Sequence, residues 1–284
     1  MSKINQIESD VKNISKLEKL EIEFLLEGIF RVCGYDFREY NFPSIRRRIW
    51  HRVQAERLNT VSGLQEKVFH DPTCMHRLIM DFSIQVTEMF RDPEFFISFR
   101  RNVIPCLKEL PYVRIWHAGC STGEEVYSMA ILLLEEGLYD KSRLYATDFN
   151  EEALEKAKKG IVSLEKMKTY TNNYLRAGGK QPFSKYYSVI GDEVIFDNIL
   201  RRNTVFAQHN LVTDRSFNEF NVIVCRNVLI YFNKDLQNKA HSLFFDSLSS
   251  AGFFIIGKKE SIDFGPYKQK YTELDKIEKI YKKI

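Results

Sequence analysis

Residues Trp116 to Glu125 read WHAGCSTGEE. Gly119, Ser121 and Gly123 alternate there, an apolar run precedes them, and Glu124 and Glu125 follow. Small residues admit a ligand close to the backbone, and a helix opening at this point offers free N–H groups. The spacing is G-x-S-x-G, without the third glycine of the dinucleotide fingerprint G-x-G-x-x-G. Two carboxylates would also repel a pyrophosphate. A cofactor with an amino group and no phosphate suits the turn better, and S-adenosylmethionine is such a molecule. The plainer alternative is that both glutamates only favour a helix start.

Other segments supply matching chemistry. RLYATD ends in Asp148, and an acid at a strand end can hold ribose hydroxyls. FAQHNL carries Asn210, placed to meet an adenine edge. VIVCRNVLIYF brings Arg226 and Asn227, then Tyr231. VTEMFRDPEFF spaces Thr87 and Arg91 at i, i+4, on one face if that stretch is helical. His117 and His209 have no metal-ligand spacing and read as strand residues near the pocket. Cys120 and Ser121 have no histidine placed to activate them as nucleophiles.

These residues need a scaffold, and the patterning supplies one. From Tyr112 onward, short apolar runs (VRIWHA, RLYATD, TVFAQHN, FNVIVCR, GFFIIGK) alternate with helical stretches (EEVYSMAILLLEE, NEEALEKAKKG, NKDLQNKAHSLFFDSL). That alternation predicts a mostly parallel sheet covered on both faces. About 40 residues after Gly160 interrupt it, and KYYSVIGDEVIF inside them alternates like a hairpin. The tail DKIEKIYKKI is expected to form a final edge strand or a short helix.

The first ~95 residues read as helices. Phe24, Leu25, Ile29 and Val32 mark an apolar stripe that stops at Gly34. Pro43 opens a second helix with Ile45, Ile49 and Val53 on its stripe, beside Trp50. Arg46, Arg47, Arg48, Arg52 and Arg57 lie between them. A third helix is expected within 61–84, and a fourth through PEFFISFRRNVIPCLKEL, bent or ended by Pro105.

Composition narrows the classes. The chain has 284 residues, 44% hydrophobic content and a net charge of +4, which permits an acidic partner without demanding nucleic acid. Five scattered cysteines without a CxxC pair argue against a disulfide framework or a zinc site and read as buried reduced thiols. No apolar run approaches the ~20 residues needed to span a membrane. The polar start MSKINQIESDVKN lacks a signal-peptide core, so a cytoplasmic location is expected.

Together, SIQVTEMFRDPEFF, RIWHAGCSTGEEVYSMA, YATDFNEEALEKAKKGIVS, FAQHNL and VIVCRNVLIYFN closely resemble the chemotaxis receptor methyltransferases (the CheR family) over most of residues 20–260. The resemblance implies an α/β fold: a Rossmann-like S-adenosylmethionine-dependent methyltransferase domain with a small antiparallel β subdomain, preceded by an all-helical domain. The expected boundaries are 1–94 for the helical docking domain, 95–111 for a linker helix, and 112–284 for the methyltransferase domain, with the β insertion at about 170–200. Carried over by position, the cofactor contacts are Gln85, Thr87, Arg91, Gly119, Gly123, Glu125, Asp148, Asn210, Leu211, Arg226 and Asn227. Arg91 and Tyr231 are expected nearest the methyl group. Arg46, Arg47, Arg48 and Arg52 are expected to dock the substrate. Gln85 stands where many members have Asn, Val126 where many have Pro, and GKKES where many have GHSES.

The implied reaction is methyl transfer to glutamate side chains of methyl-accepting chemotaxis receptors, leaving S-adenosylhomocysteine. The implied partners are the receptors' cytoplasmic helices, with no nucleic acid, no membrane insertion and no metal. Two alternatives compete: a catalytically idle S-adenosylmethionine-binding module, and a nucleic-acid methyltransferase. CRNVLIYF, in place of an NPPY-type turn, disfavours the second of these.

Overall fold

A computed structural model describes residues 2–83, 86–262 and 267–284, with residues 2–15 described by their backbone only. Among the described residues, no helix is long and apolar enough to cross a membrane. The chain divides into two compact units. One comprises the residues up to 83 together with Tyr231–Leu236, and the other comprises the remainder.

The first unit is helical. Its helices are α1 (Ser2–Cys33), α2 (Phe42–Ala55), α3 (Val61–His70) and α4 (Pro72–Phe82). On α1 the buried stripe is Ile22, Leu25, Leu26 and Ile29, while Phe24 and Val32 are exposed. That corrects the expected stripe: i, i+3, i+4, i+7 starting from Ile22 is the face that meets the core. On α2, Ile45, Ile49 and Val53 are buried as expected. The single helix expected within 61–84 is two. Asp71 accepts the Thr73 N–H as the cap of α4, and Pro72 has no N–H with which to continue α3. Glu56 collects Lys67, Arg77 and Arg52 at 2.7, 2.8 and 3.2 Å. The Lys67 hydrogen bond leads the causes that hold its carboxyl at about 2, against the opposing cost of burial.

The second unit opens with the irregular stretch 86–92. It continues through α5 (Pro93–Asn102) and α6 (Ile104–Lys108), which break around Pro105 as expected. The boundary thus falls at about residue 85, earlier than expected. Phe95, Phe96, Phe99, Ile104 and Leu107 belong to the core of this unit, which makes 95–111 part of it and not a linker.

Eight further elements follow in chain order: β1 (Val113–Ala118), α7 (Glu124–Glu135), β2 (Ser142–Asp148), α8 (Glu151–Lys159), β3 (Ile161–Ser163), α9 (Met167–Arg176), β4 (Tyr187–Ile190) and β5 (Glu193–Phe196). Then come β6 (Thr204–Gln208), β7 (Phe220–Cys225), α10 (Lys234–Ser247), β8 (Leu248–Ile256), β9 (Tyr271–Asp275) and β10 (Ile280–Lys283). The main sheet has seven strands in the order β6-β2-β1-β7-β8-β10-β9. The first five are parallel neighbours, and β10 runs antiparallel to both β8 and β9. The tail is therefore a strand, but β9 lies outside it and takes the edge.

Asn150 caps α8 through the Ala153 N–H, and Gly160 ends it, both as expected. The small antiparallel sheet has the order β3-β5-β4. Its hairpin β4–β5 falls where the alternation put it. Its third strand, the three residues at Ile161–Ser163, lies before the expected insertion and was too short to show a period. Cys74, Cys120 and Cys225 are buried as expected, but Cys33 and Cys106 are exposed.

Candidate functional site

β1 delivers the glycine turn to the carboxyl end of the sheet. The N–H groups of Gly119 and Cys120 both donate to the Thr147 carbonyl, at 2.8 and 2.9 Å, and stitch the turn to β2. Gly119 adopts φ +78°, and a Cβ there would lie 2.5 Å from the Val228 side chain. Gly123 adopts φ +90°, and a Cβ would lie 2.9 Å from that of Ala157. Both positions therefore need glycine on conformation and on space. Ser121 shares the left-handed region at φ +50°. Its N–H donates to Asp148 Oδ2 at 2.8 Å, while Asp148 Oδ1 accepts the Asn150 N–H at 3.0 Å. Asp148 is buried. That burial pushes its carboxyl above the ordinary range, against the N–H bonds from Asn150, Ser121 and Phe149.

The paired glutamates do different work. Glu124 is buried and accepts from Thr122 at 2.6 Å and from Tyr170 at 3.2 Å. Glu125 is bridged between β1 and the loop after β7. Its Oε1 lies 3.1 Å from His117 Nδ1, and its Oε2 accepts from Arg226 at 2.8 Å. Burial opposes the charge on Glu125, but His117 and Arg226 outweigh it and hold the carboxyl below its usual range. Arg226 is buried, donates onward to Asp92 at 2.6 Å, and lies 4.3 Å from the centroid of the Phe95 ring.

Thr87 and Arg91 are not on a helix. They lie in the irregular stretch before Pro93, with Phe90 at φ +50° and Asp92 at φ +55°. The proline disfavours helix in the residue preceding it. Arg91 donates to the Val86 carbonyl at 3.0 Å. Its acidic neighbours are engaged elsewhere, Asp92 by Arg226 and Glu94 by Arg176. After β6, Asn210 Oδ1 accepts the Val212 N–H at 3.0 Å, with half-buried Leu211 between them. Asn227 adopts φ +62°. Gln85 lies outside the described residues. Tyr231 belongs to the first unit, where its carbonyl accepts the Asn41 N–H at 2.7 Å and its ring lies 5.9 Å from the Arg48 guanidinium.

The arginine row on α2 is mostly engaged within its own unit. Arg46 pairs with Glu18 at 2.7 Å, Arg52 with Asp81 at 2.7 Å, and Arg48 donates to the Asp81 carbonyl. The acids arrive from α1 and α4, far away in sequence. Arg47 is exposed and makes no ion pair among the described residues.

Sequence reasoning missed three participants. His117 is a strand residue near the pocket, as expected, but its bracing of Glu125 was not foreseen. Asp92 holds Arg226, a contact that local spacing does not report. Glu260 was left without a role, yet it accepts the Asn227 N–H at 3.0 Å. A buried acid in the GKKES corner was the only available signal for the last.

A parallel sheet with a small-residue turn after β1, an acid ending β2 and a carboxylate opening α7 defines a Rossmann-like methyltransferase. The chain belongs to the CheR methyltransferase family. Residues 20–83 match its all-alpha domain and residues 85–277 its SAM binding domain. "Putative methyltransferase Cher3" of Pseudomonas putida is 48% identical over 93% of this chain and 97% of its own. An uncharacterized 104.1 kDa protein of Rhodobacter capsulatus is 28% identical over 80% of this chain, which spans only 24% of that protein. A "Chemotaxis protein methyltransferase" of Listeria innocua is 29% identical over 88% of this chain and 92% of its own.

The cofactor is S-adenosylmethionine, and the residues present fit it. The buried Ser121 Oγ and His117 Nε2 have no partner among the described residues, so polar groups at the turn and beside Glu125 are left for a ligand.

Proposed function

We propose that this methyltransferase esterifies glutamate side chains of methyl-accepting chemotaxis receptors. The observation that carries the reading is Glu125, held ionised by His117 and Arg226 at the first turn of α7. A carboxylate there suits a cationic amino group and repels a phosphate. The relative named as a chemotaxis protein methyltransferase supports the receptor as substrate.

S-adenosylmethionine supplies an electrophilic methyl group on a sulfonium with a good leaving group. Asp148 would hold the ribose hydroxyls, Glu125 the amino group, and Asn210 with Leu211 the adenine. Thr87, Gln85, Arg226 and Asn227 would complete the cofactor contacts, with Gly119 and Gly123 leaving room for it. Arg91 would orient the incoming carboxylate by charge-assisted hydrogen bonds, and Tyr231 would position its oxygen. A glutamate is already ionised at neutral pH, near a reference pKa of ~4.3, so no general base is required. The protein's task is alignment and exclusion of water. On the helical unit, Arg47 would meet the acidic face of the receptor helices.

Peptide mass spectrometry of receptor cytoplasmic fragments after incubation with protein and S-adenosylmethionine tests this reading. Methylation on glutamate supports it. Methylation confined to lysine, or found on nucleic acid instead, refutes it.

A further inference from the structure

The loop after β7 carries Arg226 and Asn227 through a left-handed turn. Asn227 sits at φ +62°, and a 3-10 turn, Leu229–Tyr231, follows at once. Asparagine is among the few side chains that adopt left-handed backbone readily, but the orientation of the turn still depends on the groups that bind its N–H donors. One side chain, Glu260, collects those N–H groups. After β8, the chain turns back through Gly257, whose carbonyl accepts the Glu260 N–H at 2.9 Å. Glu260 is 5% exposed. Its Oε2 accepts the N–H groups of Gly257 at 2.5 Å and Asn227 at 3.0 Å, and its Oε1 that of Ile230 at 3.3 Å. The Leu229 N–H adds to the same set.

No Lys, Arg or His pairs with Glu260 among the described residues; Lys258 beside it pairs with Glu278. Burial pushes the Glu260 carboxyl up, and a concave array of backbone N–H groups opposes that push. Gly257 leaves the space for it, since a Cβ there would lie 2.9 Å from Glu260 Oε2 and 3.0 Å from the Asn227 N.

We propose that Glu260 is a positioning residue for the cofactor site: its carboxylate fixes the left-handed turn at Asn227 and thereby aims Arg226 at Glu125 and Asp92. This rests on the assignment of Arg226, Asn227 and Glu125 to S-adenosylmethionine. The chemistry of the side chain is specific. Several donors converge on two oxygens, and only a carboxylate has two acceptor atoms and no donor. A glutamine of the same shape would set an NH2 group against an N–H.

The test uses the full chain with Glu260→Gln and Glu260→Ala. Calorimetry with S-adenosylmethionine needs no methyl acceptor. Both variants are expected to raise Kd for the cofactor about tenfold or more. Sodium formate at millimolar concentration is expected to restore much of the affinity of Glu260→Ala, because a small carboxylate can take up the same N–H groups. A purely structural brace would lower Tm in both variants while leaving cofactor Kd unchanged and formate without effect. Folded Glu260→Gln with a Kd within about twofold of wild type overturns the proposal, and this variant decides if Glu260→Ala does not fold. Wild-type protein that binds no S-adenosylmethionine would instead overturn the cofactor assignment on which the proposal rests.

Discussion

Asp148 ties together β2, the glycine turn and the start of α8 through backbone N–H groups that include Ser121 on one oxygen and Asn150 on the other. Each oxygen keeps acceptor capacity for a hydroxyl. Replacing Asp148 with alanine removes a charged hydrogen-bonding group, worth roughly 1.5–3 kcal/mol. Kd for S-adenosylmethionine should therefore rise by about 10- to 100-fold in calorimetry; an unchanged Kd would refute the ribose role. The turn was legible in the sequence because its glycines directly follow an apolar strand. Glu125 was legible as a carboxylate facing an amino group. The bracing of Glu125 by Arg226 was not, because the two are 101 residues apart. A separation of 46 residues hid the split between Glu124, which packs against Tyr170 of α9, and its neighbour.

At the scale of elements, α2 shows how a run of like charges misleads. Arg46, Arg48 and Arg52 look like one basic face, but packing brings Glu18 and Asp81 to meet them. Local spacing cannot report those acids. Arg47 is left facing solvent, and on the proposed reading it is the arginine that docks the receptor. Arg47→Glu should lower kcat/KM for receptor fragments while Kd for S-adenosylmethionine stays at the wild-type value. A loss of cofactor binding would assign the residue a different task. Period and punctuation fixed the other elements unevenly. Pro43, Gly34 and Gly160 marked helix ends correctly. The break at Asp71–Pro72 was equally visible, yet the apolar pattern spanning it suggested a single helix.

The two units of the whole molecule hold their titrating groups differently. His241 on α10 is 4% exposed, edge-on to Phe254. Burial depresses its imidazole to about 4. Above the unfolded value of ~6.5 the ring is neutral in both states. Between that value and about 4 only the unfolded chain takes up the proton, so stability is lost as pH falls through this window. In the helical unit, Glu56 is held down to about 2, first by Lys67. Its contribution is complete above ~4.3 and is lost as pH falls toward 2. Scanning calorimetry from pH 7 to 4 should show a smaller fall in Tm for His241→Leu than for wild type; equal slopes would contradict the assignment. At this scale the alternation of the parallel strands with α7, α8 and α10 was legible, but α9, which occupies the start of the expected β insertion, and the short strands β3 and β9 were not. The unit boundary was not, because the helices α5 and α6 look like a continuation of the helical region until their phenylalanines are seen in the second core.

Methyl transfer to glutamate leaves an ester, and esters hydrolyse in base whereas N-methyl groups do not. The decisive measurement incubates the protein with methyl-labelled S-adenosylmethionine and receptor cytoplasmic fragments, then treats the fragments with mild alkali. Label that enters the fragments and leaves as volatile methanol is the predicted result. Binding of S-adenosylmethionine without transfer, or label that survives alkali, would contradict the account.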